Sequence, residues 1–294
     1  MNERIYTFLN TIPLLGWLSD ESMRDRHWKE LQLEIKEEFN WHDDDFNLGK
    51  VANLNLLQHQ DKIEEITSHA KAQLKIEKSL DNIENLWEHS PSTNLEIEVS
   101  YTKGSADQCY KVATTENIVN LIEEHSGKLA EHKSSPFYKQ FDDKIDMWEN
   151  NIAKITETLE ILTLVQERWQ YLESIFGGQQ HIQKQLAQEY SIFKQVDGTF
   201  RQEMQRIYKV KNAYRALVED ARDFITVLNG LNLHLEIVQK KLNDLLAAKR
   251  VNFPRFYFLS NEDLLEMIGQ AKNPTTINKH IKKIFEGIHA IKTE

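Results

Sequence analysis

The side chains of this sequence that could bind a metal or act in catalysis are dispersed along the chain. Of its 11 histidines, His125 and His132 lie seven residues apart and could share a helix face. No third ligand accompanies them, whereas zinc sites use three or four protein ligands. The acidic run Asp43, Asp44 and Asp45 lacks the spacing, glycine and glutamate of a calcium-binding EF-hand loop. We therefore interpret the two histidines as ordinary surface residues and the acidic run as a solvated loop.

Cysteine usage and motif content argue against an enzyme. Cys109 is the single cysteine, so an internal disulfide is excluded and a reducing compartment is favoured. No motif surrounds its thiol, and we interpret it as a small buried or half-buried side chain. The strings GxxxxGK[ST], HExxH, CxxC and GxSxG do not occur. The sequence therefore predicts a segment with no catalytic residue, bound cofactor or metal of its own.

Charge and hydropathy restrict the partners. The formal net charge of −10 argues against nucleic-acid or membrane binding, since both surfaces attract concentrated positive charge. The apolar stretch at residues 5–18 is too short to span a membrane, contains Pro13, and has no small-residue cleavage site after it. We expect an amphipathic helix followed by a loop there, and no targeting segment.

Apolar spacing predicts a mainly α fold, an elongated multi-helix bundle with one small β-hairpin. The longest apolar stripe recurs at steps of three and four residues and is followed by Gly177-Gly178, a typical helix end. Its members are Ile145, Trp148, Ile152, Ile155, Leu159, Leu162, Trp169 and Phe176. A helix over this stretch would be about 48 Å long. Other helices are expected at residues 56–88, 116–132, 179–194, 198–212, 213–250 and 274–288, with Gly198 and Gly230 as interruptions.

One segment has the period of a β-hairpin. Apolar and polar residues alternate at Leu95, Ile97, Val99 and Tyr101, residues 103–107 supply a turn, and Tyr110 and Val112 fit a return strand. Helix starts are indicated by the string Ser22-Met23-Arg24-Asp25, which resembles a capping box, and by Asn273-Pro274.

Residues 249–268 predict a sharp corner between two helices. Lys249 and Arg250 favour a helix C-terminus, and Pro254 disfavours helical geometry at the preceding residue. The apolar run at residues 256–259 has the composition of a short buried strand. Ser260, three residues before Asp263, then predicts the capped start of a new helix.

Tryptophans fall on the apolar faces of the predicted helices. The sequence has six tryptophans, of which Trp28, Trp87, Trp148 and Trp169 lie in predicted helices. The last three lie on apolar stripes, which favours core packing over a ligand-binding box.

The string KRVNFPRFYFLSNEDLLEMI at residues 249–268 closely resembles the signature near the C-terminal end of the linker in dynein heavy chains. Three other segments resemble that linker in the same order: residues 13–28 with Arg26-His27-Trp28, residues 63–87, and residues 166–176, QERWQYLESIF. The resemblance spans nearly all 294 residues. The sequence departs from the family pattern at Ala187, where proline is common, and at Phe200, where tryptophan is common. Both departures affect local geometry.

The resemblance implies a mechanical element that joins the dynein tail to the AAA+ motor ring. In the family, this linker arches over the ring, bends and straightens as ATP is processed, and delivers the power stroke along microtubules. ATP and Mg²⁺ would bind to the ring and not to this segment. The implied partners are the ring of the same heavy chain, the tail with its associated chains and, indirectly, microtubules.

The same resemblance implies a cytoskeletal location. The strings GGQQ at residues 177–180 and FLSN at residues 258–261 favour an axonemal, ciliary or flagellar heavy chain, whereas residues 135–138 resemble cytoplasmic forms as well. The sequence looks like a fragment of a far larger chain, because the AAA+ modules would follow it. The alternatives are a helical scaffold or tether that binds coiled partners without a motor role, and an enzyme, which the empty motif search disfavours.

The linker interpretation divides the chain into segments 1–90, 91–143, 144–250 and 251–294. A lever needs a hinge where two packings have similar energy, and the glycine-bearing breaks supply the hinge candidates Gly177, Gly178 and Gly198. The structural or interface candidates are Trp28, Trp148, Trp169, Tyr171, Phe253, Pro254, Arg255, Phe256 and Tyr257. We expect contacts with the ring from exposed positions of the hairpin and of the corner at residues 253–257.

Overall fold

The structure, a computed structural model, describes residues 2–37, 39–43, 48–101, 108–178, 180–219, 223–270 and 274–291. They form a mainly α-helical bundle with one small hairpin, which confirms the predicted fold class. The α-helices are α1 (Asn2–Leu18), α2 (Asp25–Ile35), α3 (Leu48–Asn53), α4 (Gln60–His89), α5 (Glu116–Ser134), α6 (Asp142–Phe176), α7 (Gln180–Gln185), α8 (Ala187–Val210), α9 (Phe224–Asn252), α10 (Asn261–Gly269) and α11 (Pro274–Ile284). The strands are β1 (Glu96–Tyr101) and β2 (Gln108–Thr114).

Shorter helical turns connect these elements. The 3₁₀-helices are Leu56–His59, Pro91–Thr93, Tyr138–Gln140 and Pro254–Phe258, and Arg215–Glu219 is a π-helix. No helix in the described ranges is both long enough and apolar enough to cross a membrane.

The chain divides into two compact units. The first contains Met1–Leu86 and Glu124–Asn150, and the second contains Trp87–Glu123 and Asn151–Glu294. The boundaries between the units fall inside α4, α5 and α6. The finer division into four segments remains a prediction.

In the first unit, a core forms from α1, α2 and the start of α4. Its buried members are Leu14, Leu18, Leu31, Leu54, Leu56, Ile63 and Ile66. The helix expected at residues 5–18 is confirmed as α1, which runs through Pro13. Leu14 and Leu18 are one turn apart, so a single face of α1 enters this core.

The predicted capping box at Ser22 is wrong. The backbone N–H of Ser22 donates to Oδ1 of Asp20, 3.0 Å away, which holds Ser22 in the preceding turn. Helix α2 instead begins at Asp25 with Arg24 as its N-cap. The N–H of Arg24 donates to Nδ1 of His27 at 3.0 Å, so a histidine supplies the acceptor at the helix start.

In the second unit, the hairpin packs on α8. Its strands are antiparallel, with Ile97 opposite Val112 and Val99 opposite Tyr110, as predicted. The ring of Tyr110 stacks on Tyr208 of α8 with centroids 4.4 Å apart. The predicted turn at residues 103–107 lies outside the described residues.

Three long helices carry the predicted apolar stripes. Helix α6 has 35 residues and ends just before Gly177, as expected from the two glycines. Helices α4 and α9 have 30 and 29 residues. All eight stripe positions of α6 are buried. The sequence also predicts an apolar stripe along α9 at Leu228, Leu231, Leu235, Val238, Leu242 and Leu245. The first five are buried, and the next buried position is Leu246 and not Leu245.

The predicted helix interruptions at Gly198 and Gly230 are wrong. Helix α8 continues through Gly198 and α9 continues through Gly230. A glycine costs a helix only about 1 kcal/mol relative to alanine, and burial of the flanking apolar stripes offsets that cost. Helix breaks lie instead at Leu186 and at Lys211. Within the helix expected at residues 213–250, the structure describes the π-helix Arg215–Glu219 and then α9 from Phe224.

Candidate functional site

The corner between α9 and α10 is formed by a proline turn. Helix α9 ends at Asn252, and Phe253 is extended, with φ −136° and ψ 92°. Pro254 lacks an N–H and excludes helical geometry at the residue before it. The chain then forms the 3₁₀-helix Pro254–Phe258. Ser260 caps α10 by accepting the N–H of Asp263 on its Oγ at 3.1 Å, which confirms the predicted cap.

The strand predicted at residues 256–259 is wrong. The N–H of Phe256 donates to the carbonyl of Phe253 at 2.9 Å, and that of Leu259 donates to Phe256 at 3.1 Å. These local bonds satisfy backbone groups that a strand would have to pair with a neighbour. Only Leu259 of this run is fully buried, at 4% exposure.

Arg250 fastens the end of α9 to the start of α10. Its Nη2 donates to the carbonyl of Leu259 at 3.1 Å and to Oδ1 of Asn261 at 2.8 Å. A planar guanidinium has five N–H donors in a fixed geometry, so one side chain can hold two acceptors beyond the turn. The sequence pattern predicted Arg250 only as a helix-terminal residue and gave no signal for this role.

Arg255 connects the corner to the end of α11, and Phe253 packs against Phe285 just beyond that end, with ring centroids 6.3 Å apart. Nη1 of Arg255 donates to the carbonyl of Ile284 at 3.1 Å, and its guanidinium lies 4.8 Å from the centroid of the Phe285 ring. Phe253 and Phe256 meet edge to face with centroids 4.7 Å apart. The structure thus brings together four of the predicted corner residues: Phe253, Pro254, Arg255 and Phe256.

Complementary charges join α10 to α11. Nζ of Lys283 lies 2.6 Å from Asp263, and Glu266 accepts from Lys279 at 2.8 Å and contacts Nε2 of His280 at 2.8 Å. The hydrogen bond from Lys283 lowers the pKa of Asp263. The hydrogen bond from Lys279, followed by that from His280, lowers the pKa of Glu266. This pairing was not predicted from the sequence, although both helices carry the charges at helical spacing.

The outer face of the corner is apolar and exposed. Tyr257 is 65% exposed and Phe258 is 70% exposed, and Val251 and Phe253 are also exposed. Large apolar side chains grouped at the surface are uncommon unless they mark a contact site. Phe258 was not among the predicted residues, although it belongs to the same aromatic run.

Trp169 of α6 is the centre of an aromatic cluster with α8. Its ring stacks on Phe200 with centroids 4.8 Å apart, and its Nε1 donates to Oδ1 of Asp197 at 3.0 Å. Arg201 also donates to Asp197 at 2.7 Å and lies 5.4 Å from the Trp169 ring centroid. The stack and hydrogen bonds fix the position of α8 against α6.

Tyr171 is half-buried two residues further along α6. Burial raises the pKa of its phenol, and the carboxylate of Glu262 on α10 adds to that effect. This predicted residue therefore lies near the corner helices.

Two buried amides, missed by the sequence analysis, fix the hairpin region. Gln166 of α6 accepts the N–H of Val112 on Oε1 at 2.8 Å and donates to the carbonyl of Val112 at 2.9 Å. It thereby pairs with β2 much as another strand would. Asn212 donates from Nδ2 to the carbonyl of Trp87 at 2.8 Å and to Oγ1 of Thr93 at 3.0 Å. A lone amide residue carries no sequence signal for such long-range bonds.

Comparison with known proteins matches residues 1–294 to the family described as "Dynein heavy chain, N-terminal region 2". The chain belongs to the dynein heavy chain family. Dynein axonemal heavy chain 2 of Mus musculus is 37% identical over 291 residues, which cover 99% of this chain and 6% of the relative. The Dynein-1-beta heavy chain of the flagellar inner arm I1 complex of Chlamydomonas reinhardtii is 36% identical over 288 residues, 98% of this chain and 6% of the relative.

A cytoplasmic dynein heavy chain of Drosophila melanogaster is 30% identical over 291 residues, 98% of this chain and 6% of the relative. The chain thus spans about 6% of the length of these dynein heavy chains. The resemblance stated from the sequence is confirmed at the level of the family.

Three of the six tryptophans of this dynein heavy chain region are in its cores. Trp87, Trp148 and Trp169 are at most 1% exposed, which confirms the predicted core packing. Trp28 is half-buried and stacks on Trp41 with centroids 6.1 Å apart. Their roles as interface residues remain predictions.

The hinge candidates of the dynein region differ in their surroundings. Gly177 and Gly178 follow α6, and the N–H of Gly177 donates to the carbonyl of Glu173 at 2.8 Å. Gly198 lies inside α8. A hinge function at any of the three remains a prediction.

Side chains with the potential for chemistry are placed mainly by packing. Burial raises the pKa of the Cys109 thiol, which is 3% exposed, so the interpretation as a buried residue is confirmed. His125 is 1% exposed, and the interpretation of this residue as a surface histidine is wrong. It occupies the helical phase of the buried Ile118, Ile122 and Leu129. Within the described ranges, no group of three or more His, Cys, Asp or Glu residues could hold a metal ion.

Two other predicted features fall partly on residues outside the description. Asp43 is exposed, but Asp44 and Asp45 lie outside the described residues. Asn273 also lies outside them, whereas Pro274 begins α11 as predicted. Helix α11 ends at Ile284, four residues earlier than expected.

Proposed function

We propose that this chain is the mechanical linker of a dynein heavy chain, which bends and straightens over the AAA+ ring and has no catalysis of its own. The observation that carries the proposal is α6, 35 residues long and buried along one face at eight stripe positions. A helix of this length extends about 52 Å. Bending such a helix would disrupt its lateral packing, so displacement applied at one end reaches the other.

The corner is the proposed contact with the ring. Its backbone is held by Arg250 and Arg255, while Tyr257 and Phe258 remain exposed. A contact that transmits force needs side chains on a rigid backbone. The hydrogen bonds from the two guanidinium groups to backbone carbonyls hold the backbone of the corner in place. ATP and Mg²⁺ would bind to the ring. The dynein tail and, indirectly, microtubules would be the further partners.

Similarity to axonemal dyneins supports a proposed location in a cilium or flagellum. Because the chain also matches a cytoplasmic dynein heavy chain, localisation of the protein distinguishes an axonemal from a cytoplasmic role. A tagged heavy chain carrying this segment should be found in the axoneme, and exclusion from the axoneme would contradict this part of the proposal.

The corner contact is tested in the complete motor. We expect Tyr257→Asp with Phe258→Asp to slow microtubule gliding several-fold, because two carboxylates would have to be desolvated at an apolar contact. Leu233→Asp is the matched control, since Leu233 is 57% exposed on α9 away from the corner. Unchanged gliding by the double variant would remove the corner from the proposal.

The hinge and the lack of catalysis have separate tests. Gly177→Ala with Gly178→Ala should slow gliding, whereas Gly198→Ala, inside α8, should not. Equal speeds for the two variants would refute a hinge at Gly177 and Gly178.

ATP turnover by the isolated 294-residue chain would refute its proposed lack of catalysis.

A further inference from the structure

A groove of about 540 Å³ lies between the first turns of α5 and the middle of α6, within the second unit. Its apolar wall contains Val119 and Ile122 of α5 and Leu159 and Leu164 of α6. Val119 and Leu164 are each 38% exposed. Solvent therefore covers apolar side chains that a partner could bury.

Threonines in the groove add to its apolar character. Thr156 donates its hydroxyl to the carbonyl of Ile152 and Thr163 donates to the carbonyl of Leu159, both at 2.9 Å. Because these two hydroxyls are already bonded to their own helix, an incoming apolar group would leave neither of them without an acceptor.

Carboxylates border the same groove. Glu123, Glu160 and Glu167 line it, and no lysine or arginine does. Within the described part of the chain, none of the three forms a salt bridge. By contrast, Arg168 of α6 forms a salt bridge with Glu236 of α9. Three like charges beside an apolar wall attract a partner that carries the opposite charge.

The groove is long enough for a helix. From Thr156 to Glu167 the groove follows α6 for about 17 Å, the length of about 11 helical residues. An amphipathic helix can place residues three and four apart into such a groove.

We propose that the α5–α6 groove is a docking site for a lysine- or arginine-flanked amphipathic helix of a partner protein. The apolar stripe of the partner covers Val119 and Leu164, and its cations face Glu160 and Glu167. This site is separate from the corner and does not depend on the proposed motor function.

The test uses the 294-residue chain and a fluorescent peptide of about 18 residues, long enough to span the groove. The probe contains leucines at helical spacing flanked by lysines, and the matched peptide has glutamate in place of every lysine. Fluorescence anisotropy should show binding of the lysine peptide and not of the glutamate peptide. Leu164→Arg and, separately, Val119→Arg should abolish binding, with folding checked by circular dichroism.

Charge removal gives a graded result. Glu160→Gln with Glu167→Gln should weaken binding about fivefold at low salt, and the difference should shrink as salt is raised, because exposed charges are screened. Asp244→Asn and Leu233→Arg, exposed on α9 outside the groove, should leave affinity unchanged.

Several results would overturn the proposal. These are no binding of the lysine peptide, equal binding of the glutamate peptide, or equal affinity of all groove variants. Self-association of the chain in sedimentation experiments that Leu164→Arg abolishes would show that a second copy occupies the groove instead.

Discussion

Asn212 joins segments that lie far apart in the chain. Its Nδ2 bonds the carbonyl of Trp87 and the hydroxyl of Thr93, and its Oδ1 accepts the N–H of Arg215 at 2.9 Å. The residue is 8% exposed. Removing a buried amide leaves its partners without hydrogen bonds, and each such loss costs about 1–3 kcal/mol.

We predict that Asn212→Ala lowers the free energy of unfolding by about 2–4 kcal/mol, measured by urea denaturation. Asn85→Ala is the matched control, because Asn85 is exposed and its side chain donates to the carbonyl of Asp81 in its own helix. Its effect should be within about 0.5 kcal/mol. A loss below about 1 kcal/mol for Asn212→Ala would show that the bonds are replaced by water.

Lys211 has a strained backbone. Its φ is 63° and its ψ is −49°, and the N–H of Asn212 donates to the carbonyl of Val210 at 2.8 Å. This pattern is a γ-turn, rare for residues with a side chain. Asn212, with its long-range hydrogen bonds, directly follows this turn.

Lys211→Gly should stabilise the chain by about 1 kcal/mol, since relief of about 1–3 kcal/mol of strain exceeds the backbone entropy cost of glycine. Lys209→Gly, in the last turn of α8, should destabilise it by about 0.5–1 kcal/mol. Urea denaturation measures both. Destabilisation of equal size by the two variants would contradict the strain at Lys211.

At the scale of elements, the glycine that follows α6 and the glycine inside α8 differ in what an added methyl group would meet. A β-carbon at Gly177 would lie 2.8 Å from the carbonyl oxygen of Glu173, whereas one at Gly198 would meet no atom within 4 Å outside the nearby backbone of its own helix. The first is a clash with backbone, which cannot move away as a flexible side chain could.

Gly198→Ala should therefore raise the free energy of unfolding by about 0.5–1 kcal/mol, because alanine has less backbone entropy to lose in a helix. Gly177→Ala should lower it by about 1 kcal/mol or more. Thermal and urea unfolding measure both. If Gly177→Ala also stabilises, the end of α6 relaxes without cost, and its proposed hinge function loses its structural basis.

At the scale of the whole molecule, the pH dependence of stability should come from the first unit. Burial lowers the pKa of His27, His125 and His132, and all three belong to that unit. Below the ordinary histidine pKa of about 6.5, the unfolded chain binds protons that the folded chain does not. The stabilising contribution of these three neutral histidines is therefore fully present above this pH. It is lost as the pH falls towards their pKa values in the folded chain.

We predict that the free energy of unfolding decreases from about pH 7 to pH 5, by at most about 1.4 kcal/mol per pH unit for each histidine. His125→Gln should flatten the pH dependence of urea unfolding, whatever its effect at pH 7. The exposed His289 provides the control His289→Gln, which should leave the slope unchanged. A wild-type profile that is flat over this range would contradict the prediction.

Local sequence patterns determined the helices, the hairpin, the core stripes and the cap at Ser260. These features depend on side chains within a few turns of one another, so spacing alone identifies them. The buried positions of α6, from Ile145 to Phe176, follow from a period of 3.6 residues. The string at residues 249–268 indicated the family through its resemblance to the linker signature of dynein heavy chains, and the family match confirms it.

Tertiary structure alone decided the features that depend on distant partners. Asn212 and Gln166 bond to backbone groups remote in sequence, and Asp263 and Glu266 meet cations of another helix. The run at residues 256–259 could have formed a strand, but local hydrogen bonds after Pro254 satisfied its backbone as a 3₁₀-helix. Composition indicates how apolar a segment is, whereas the contacts that compete for its backbone decide which structure it adopts.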